Sequence, residues 1–401
     1  MIKKMSSFIL AAVVAILPLA NLACVTECKS PEQKNTAEKK TDKDSDKVSP
    51  EQINLDKICA AYIATWGVYD SVKNKDRAWT AADIDGNKLT DLILSFAELD
   101  DKDHVTLLTD EVEDYYGEVS ALVKKYPHLR VSVAIGGGSE GVADFKAMSA
   151  DKELRAKFVE NVKKLLENNT NIRGIDIDWE YPGQRLKAGS GAWKTEFNNY
   201  LSLLSELKTM MTELGSKNGN SYRLTTALPA DVKAIIENVA EIQKVCDGLN
   251  LMMYDYHGAW SSTTGHNAPL DEIEDSLKRF LAAGASPDKL VLGIPFYGQK
   301  WTGVEEGDNN GLGSSVTPNK NGYDYGIQYP EIIKLLKNKN YKKYWDDDAK
   351  APYAYSAKDK VSPIPLCKDP YHAQFSQTQS GIGFFSQSLV LSSVLLPEAN
   401  I

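Results

Sequence analysis

The chain is poor in cysteine, with five in 401 residues, at positions 24, 28, 59, 246 and 367. No pair has the spacing of a metal site, and the set does not read as a disulfide framework. Cys59 and Cys246 fall in expected core strands and read as small buried hydrophobes. Positive charge is also short, with 46 Lys and Arg against 55 Asp and Glu and a formal charge of -9. That balance disfavours a nucleic-acid surface and suits a neutral or cationic ligand. A Gly-rich phosphate turn is missing after the first apolar run, and Gly136-Gly137-Gly138 lacks the dinucleotide spacing. The apolar run from Phe8 to Leu19 is too short for a spanning helix.

Lys3 and Lys4 before that run make it an export signal over residues 1–23. Ala20-Asn21-Leu22-Ala23-Cys24 resembles a bacterial lipoprotein processing site, with Cys24 as the lipidated residue. Asn21 departs from that pattern, and a cleaved signal that leaves Cys24 a plain thiol is the alternative. Residues 24–56 are expected to be a flexible polar tether, because residues 29–50 are almost all polar or charged. Such a stretch cannot bury enough apolar surface to offset its ordering entropy. The expected location is exported and lipid-anchored at the cell envelope, on the outer membrane or cell surface. Membrane contact would come only through the anchor.

From residue 57 onward, short apolar runs alternate with longer amphipathic stretches. The runs are Ile58–Ile63, Asp91–Phe96, Arg130–Ile135, Ile172–Trp179, Arg223–Leu228, Gly248–Tyr254 and Leu290–Phe296. Near-continuous apolar runs of this length suggest parallel strands covered on their outer face. Helical patterns lie between them, at Val142–Leu166, Trp193–Leu214 and Asp271–Ala283. Size and order match an α/β fold of the (β/α)₈ barrel kind, with a doubly wound open sheet as the rival. Residues 57–300 would hold strands one to seven. Residues 301–357 break the rhythm and read as a small α+β insertion before strand eight, with a helix at Tyr329–Leu336. Residues 358–401 form an atypical C-terminal segment. From Val361 on, its only charged residues are Lys368, Asp369 and Glu398, in a chain that is 25% charged. The best eighth strand there is Ser380–Phe385, and whether it closes the barrel stays open.

The informative stretch is Arg173-Gly174-Ile175-Asp176-Ile177-Asp178-Trp179-Glu180-Tyr181-Pro182-Gly183. Side chains alternate across a strand, so Ile175, Ile177 and Trp179 share one face and Asp176, Asp178 and Glu180 the other. In a barrel the apolar set packs under the helices and the acids point inward, toward the C-terminal mouth. Acids two residues apart are about 7 Å apart at the backbone, close enough for their side chains to share a proton. Burial and like charge then raise at least one pKa, which suits a general acid. A solvated acidic edge or a cation site would be the bland readings. Alternation with Ile, Ile and Trp argues against the first, and a cation site usually draws ligands from several loops.

This stretch resembles the Asp-x-x-Asp-x-Asp-x-Glu signature of family-18 chitinases, in its Trp-Glu-Tyr-Pro-Gly form. Val131–Gly137, Leu224–Ala230, Met252–Gly258 and Gly293–Gly298 resemble the family's third, fifth, sixth and seventh strands. Trp345-Asp346 and Ala351–Tyr355 resemble the end of the chitinase insertion domain. The resemblance implies hydrolysis of β-1,4-linked N-acetylglucosamine in chitin or chito-oligosaccharides, with retention and help from the substrate's own acetamido group. Glu180 would be the acid, Asp178 would orient the acetamido N–H, and Asp176 would tune Asp178. Tyr254 would hydrogen-bond the acetamido carbonyl and Asp255 would contact the sugar. Met252, Tyr62, Tyr181 and Phe385 are further candidates for the sugar site. His257 is equally readable as a loop residue or a substrate contact. No metal or organic cofactor is implied. The expected partner is an N-acetylglucosamine-containing saccharide, and no nucleic acid. Three positions depart from the family: Arg173 at the first Asp, Ala134 at a Ser expected to bond Asp176, and Phe385 at a Trp that floors the sugar site. Alternatives are an endo-β-N-acetylglucosaminidase acting on N-glycans and a non-catalytic carbohydrate-binding protein on the same fold.

Overall fold

A computed structural model describes residues 57–65, 79–138, 142–318, 324–362 and 383–388. The export signal, Cys24 and the tether lie outside the described residues. Eight parallel strands form the frame: β1 Cys59–Ala64, β2 Asp91–Leu99, β3 Arg130–Gly136, β4 Ile172–Asp178, β5 Arg223–Pro229, β6 Gly248–Met252, β7 Leu290–Pro295 and β8 Gly383–Ser388. Each pairs in parallel with its sequence neighbours. β8 pairs with both β7 and β1, so the ring of strands is closed. A closed parallel ring has no exposed edge, and its strands are buried on both faces. Hence the apolar runs of the sequence fall within a few residues of the observed strands.

The outer layer includes α1 Tyr116–Lys125, α2 Val142–Ala150, α3 Lys152–Asn168, α4 Gly191–Asn218, α5 Val239–Val245 and α6 Leu270–Ala282. Phe158, Val162, Leu165 and Leu166 of α3 and Leu203, Leu204, Leu207 and Met211 of α4 are buried. These are helical spacings, and they set one stripe of each helix against the strands.

Some sequence expectations need correction. The single helix expected over Val142–Leu166 is two helices. Asp151 is extended at φ -109°, ψ 125°, and its carboxylate accepts from the N–H groups of Glu153 and Leu154 to start α3. Cys246 is buried but lies in no strand; its N–H donates to Ile242 and closes α5. Strand eight, expected over Ser380–Phe385, is described over Gly383–Ser388 and continues past Phe385; residues 380–382 lie outside the described residues. The match to the family's eighth strand ended at Phe385, whereas pairing continues through polar Ser386 and Gln387. The small unit after β7 starts earlier than residue 301. Strand Tyr297–Thr302 pairs antiparallel with Asp324–Gln328 and with Val361–Ser362. Helix α7, Tyr329–Leu336, and an antiparallel pair, Lys342–Asp346 with Ala351–Tyr355, complete it.

Candidate active site

The acidic row sits at the C-terminal end of β4. Ile175 and Ile177 are fully buried, and Trp179 stacks on Phe145 of α2 at 5.6 Å and meets Tyr200 of α4 edge-on at 5.8 Å. That apolar set faces the helices, so alternation turns Asp176 and Asp178 into the barrel. The strand ends at Asp178, and Glu180 stands two residues beyond, half-buried at the mouth.

Asp176 is fully buried. It pairs in register with Ala134 on one side and Thr225 on the other. Tyr62 donates its hydroxyl to Oδ2 at 2.7 Å. Thr225 Oγ1 and Asn250 Nδ2 donate to Oδ1, the second at 3.0 Å. Asn250 also donates to the Tyr62 hydroxyl at 2.7 Å. Burial pushes the Asp176 carboxyl up, and the bonds from Thr225, Tyr62 and Asn250 oppose it. Three donors thus stand where a hydroxyl at position 134 had been expected. Tyr62, 3% exposed, lies beneath the row and supports it.

Burial raises Asp178 well above the carboxylate range, and the charges of Glu180 and Asp176 add to that. Asp178 and Glu180 hydrogen-bond to each other, and burial pushes Glu180 up to about 7 against a pull downward from Tyr181 and Asp178. Both carboxyls are thus held toward the protonated form. The buried Asp178 Oδ1 has no hydrogen-bond partner among the described residues. Gly137 N–H donates to the Asp178 carbonyl at 2.9 Å. A Cβ on Gly138 would stand 3.2 Å from Glu180 Oε2, so the glycine turn after β3 closes on the acid.

Past the end of β6, Tyr254 is buried and its hydroxyl is pushed up by burial and by the charges of Asp178 and Glu180. It meets Tyr297 edge-on at 6.0 Å. Asp255 has a left-handed backbone at φ 61°. Its Oδ1 accepts from the Tyr297 hydroxyl at 2.8 Å and from Gln299 Nε2 at 2.6 Å, and its N–H donates to Asn267 Oδ1 at 2.9 Å. The Asp255 charge in turn raises Glu180. Met252 is buried at the end of β6, and Tyr181 is partly buried beside Glu180. His257 Nδ1 faces the His266 carbonyl at 3.2 Å and packs on Gly265. The Phe385 side chain lies outside the described part of the structure.

Five residues of this network escaped sequence reasoning: Thr225, Asn250, Asn267, Tyr297 and Gln299. Thr225 and Asn250 carried a signal, since each is a polar residue inside an apolar strand run.

Residues 58–362 match the family model described as Glycosyl hydrolases family 18. The chain belongs to glycosyl hydrolase family 18. Among relatives, it is 33% identical over 326 residues to Probable chitinase 2 of Drosophila melanogaster, covering 76% of this chain and 64% of that one. It is 31% identical over 269 residues to Chitinase A1 of Niallia circulans, covering 61% and 37%. The family-18 chain thus spans less than two thirds of either relative. Among solved structures it is similar to the Ostrinia furnacalis Group IV chitinase in complex with allosamidin, with a TM-score of 0.66, 27% identity, and 83% and 92% of the two chains covered. Such neighbours share the (β/α)₈ barrel.

Proposed function

We propose that the protein is a glycosidase that cleaves β-1,4-linked N-acetylglucosamine in chitin or its oligomers, with retention and substrate assistance. The observation that carries this reading is the Asp178–Glu180 pair: two acids on one side of the barrel mouth, with a buried Asp178 Oδ1 that lacks a donor among the described residues. A buried acceptor without a partner is costly, and an acetamido N–H is a donor of the right kind. Both acids project from one side of the mouth, so Asp178 is poorly placed to attack the opposite face of a sugar. The acetamido oxygen of the substrate would attack the anomeric carbon instead. As the glycosidic bond breaks, Glu180 gives its proton to the leaving oxygen. Asp178 holds the acetamido N–H, and Tyr254 donates to the acetamido oxygen. Water then opens the cyclic ion, and Glu180 takes back a proton. Two inversions at the same carbon leave the configuration unchanged.

Asp255, held by three neighbours, is proposed to contact the sugar at the cleavage point. The small unit that begins at Tyr297 is proposed to act as a chitinase insertion domain and wall one side of the cleft. The likeness to Probable chitinase 2 and Chitinase A1 supports the substrate class. The decisive test is the product pattern from an N-acetylglucosamine hexamer, together with inhibition by a thiazoline that mimics the cyclic ion. Competitive inhibition is expected. An untouched hexamer, or an inert thiazoline, overturns the proposal.

Export and a lipid anchor at Cys24 are proposed on the sequence of residues 1–56 alone.

A further inference from the structure

We infer that Glu196, a buried carboxylate on α4, is a positioning residue for Glu180 that holds the turn directly after the acid. The inference rests on Glu180 being the acid of the proposed reaction. Glu196 is 6% exposed. Its Oε1 accepts the N–H of Gly183 at 2.7 Å. Its Oε2 meets Lys146 Nζ of α2 at 3.1 Å. A carboxylate this buried needs such partners, because charge taken from water without them is strongly destabilising.

The Gly183 contact leads directly to the acid. Gly183 closes the turn that begins at Tyr181, directly after Glu180, with Gln184 N–H returning to the Tyr181 carbonyl at 3.0 Å. At Gly183 φ is 78°, and a Cβ would stand 2.3 Å from the Trp193 ring, so glycine alone brings this N–H down onto α4. Lys146 sits on α2, next to Phe145, whose ring stacks on Trp179, the residue before Glu180. The chain is therefore held on one side of Glu180 through Trp179 and on the other through Gly183. Glu196 makes the second hold, and its contact with exposed Lys146 balances the buried charge. A geometry fixed this way keeps the acid close under the glycine turn, where water is kept from its carboxyl.

The test uses Glu196→Asp and Glu196→Gln on the full chain, each checked by thermal melting. Asp draws the acceptor back from Gly183 by one methylene, while Gln keeps an oxygen acceptor and loses only the charge facing exposed Lys146. Glu196→Asp should lower kcat on the hexamer by about tenfold or more with KM nearly unchanged, as misplacement of a reacting group does. It should also move the alkaline limb of kcat to lower pH, because water admitted to Glu180 relaxes its raised pKa. Glu196→Gln should stay within about threefold of the parent in kcat and keep the parent's pH profile. Infrared titration of the Glu180 carboxyl, as parent minus Glu180→Gln in each background, reads the same shift without turnover. A hexamer left intact by the parent would thus refute the proposed reaction while the infrared arm still decides the positioning. A folded Glu196→Asp with the parent's kcat and titration overturns the inference. So does a Glu196→Gln that loses as much as Glu196→Asp.

Discussion

Glu180 can act as an acid near neutrality because its carboxyl is costly to ionise where it stands. Its pKa is pushed up to about 7, first by burial. In the proposed reaction the protonated form is the working one, so kcat should fall as pH rises through about 7, in a pH–rate profile on the hexamer. Glu180→Gln keeps the shape and removes the proton, and kcat should drop by about 10²–10⁴, the range general acid catalysis covers. Stability moves with the same group. A carboxyl raised in the fold from 4.5 to about 7 binds its proton more tightly folded than unfolded. Its contribution is fully present below about pH 4.5 and is lost as pH rises through about 7. Glu180→Gln should therefore melt higher than the parent at pH 8, with a smaller gain at pH 5. Equal melting shifts at both pH values would show that burial does not burden Glu180. Of these residues, the acids were legible because three carboxylates alternate with Ile, Ile and Trp. Thr225 and Asn250 stood out as polar residues in apolar runs, but that signal did not say which face they take or what they meet. Only register, Asp176 opposite Thr225, brings them to the acid.

At the scale of elements, hydrophobic runs located seven strands well because each parallel strand is buried on two faces. Helix boundaries were less legible, because Phe145, Met148, Phe158 and Val162 read as one helical pattern even though Asp151 and Lys152 interrupt its apolar stripe. The break is made where the Asp151 carboxylate accepts from two N–H groups of α3, which periodicity does not report. Asp151→Ala should cost about 1 kcal/mol in urea unfolding, the usual loss for an N-cap. The hexamer rate at 25 °C should hold, since the cap touches none of the acid's neighbours. Phe145 is a different case. It is buried at 1% exposure and its ring lies flat on Trp179, 5.6 Å between centroids. Phe145→Ala should cost about 3–5 kcal/mol and, unlike the cap variant, should also lower kcat, because it frees the residue before Glu180. Equal kinetics for the two variants would separate α2 from the acid.

Closure is a property of the whole molecule, and the sequence left it open. The segment after Lys360 has few charges and a weak pattern, yet Gly383–Ser388 pairs along its length with Cys59–Ile63 on one side and Val291–Pro295 on the other. Without that strand β1 and β7 would each present a row of unpaired N–H and C=O groups. Exposed edges of this kind pair with other chains, and the acid network would suffer with them. Tyr62, which holds Asp176 from below, is carried by β1 and pairs directly with Gln387. A chain ended at Ser362 should therefore lose its single cooperative thermal transition and aggregate, as followed by circular dichroism and light scattering. It should lose hexamer cleavage as well, although every acid is still present. A truncated chain that melts in one sharp step and cleaves at the parent rate would mean that seven strands hold the site and that the eighth only covers it.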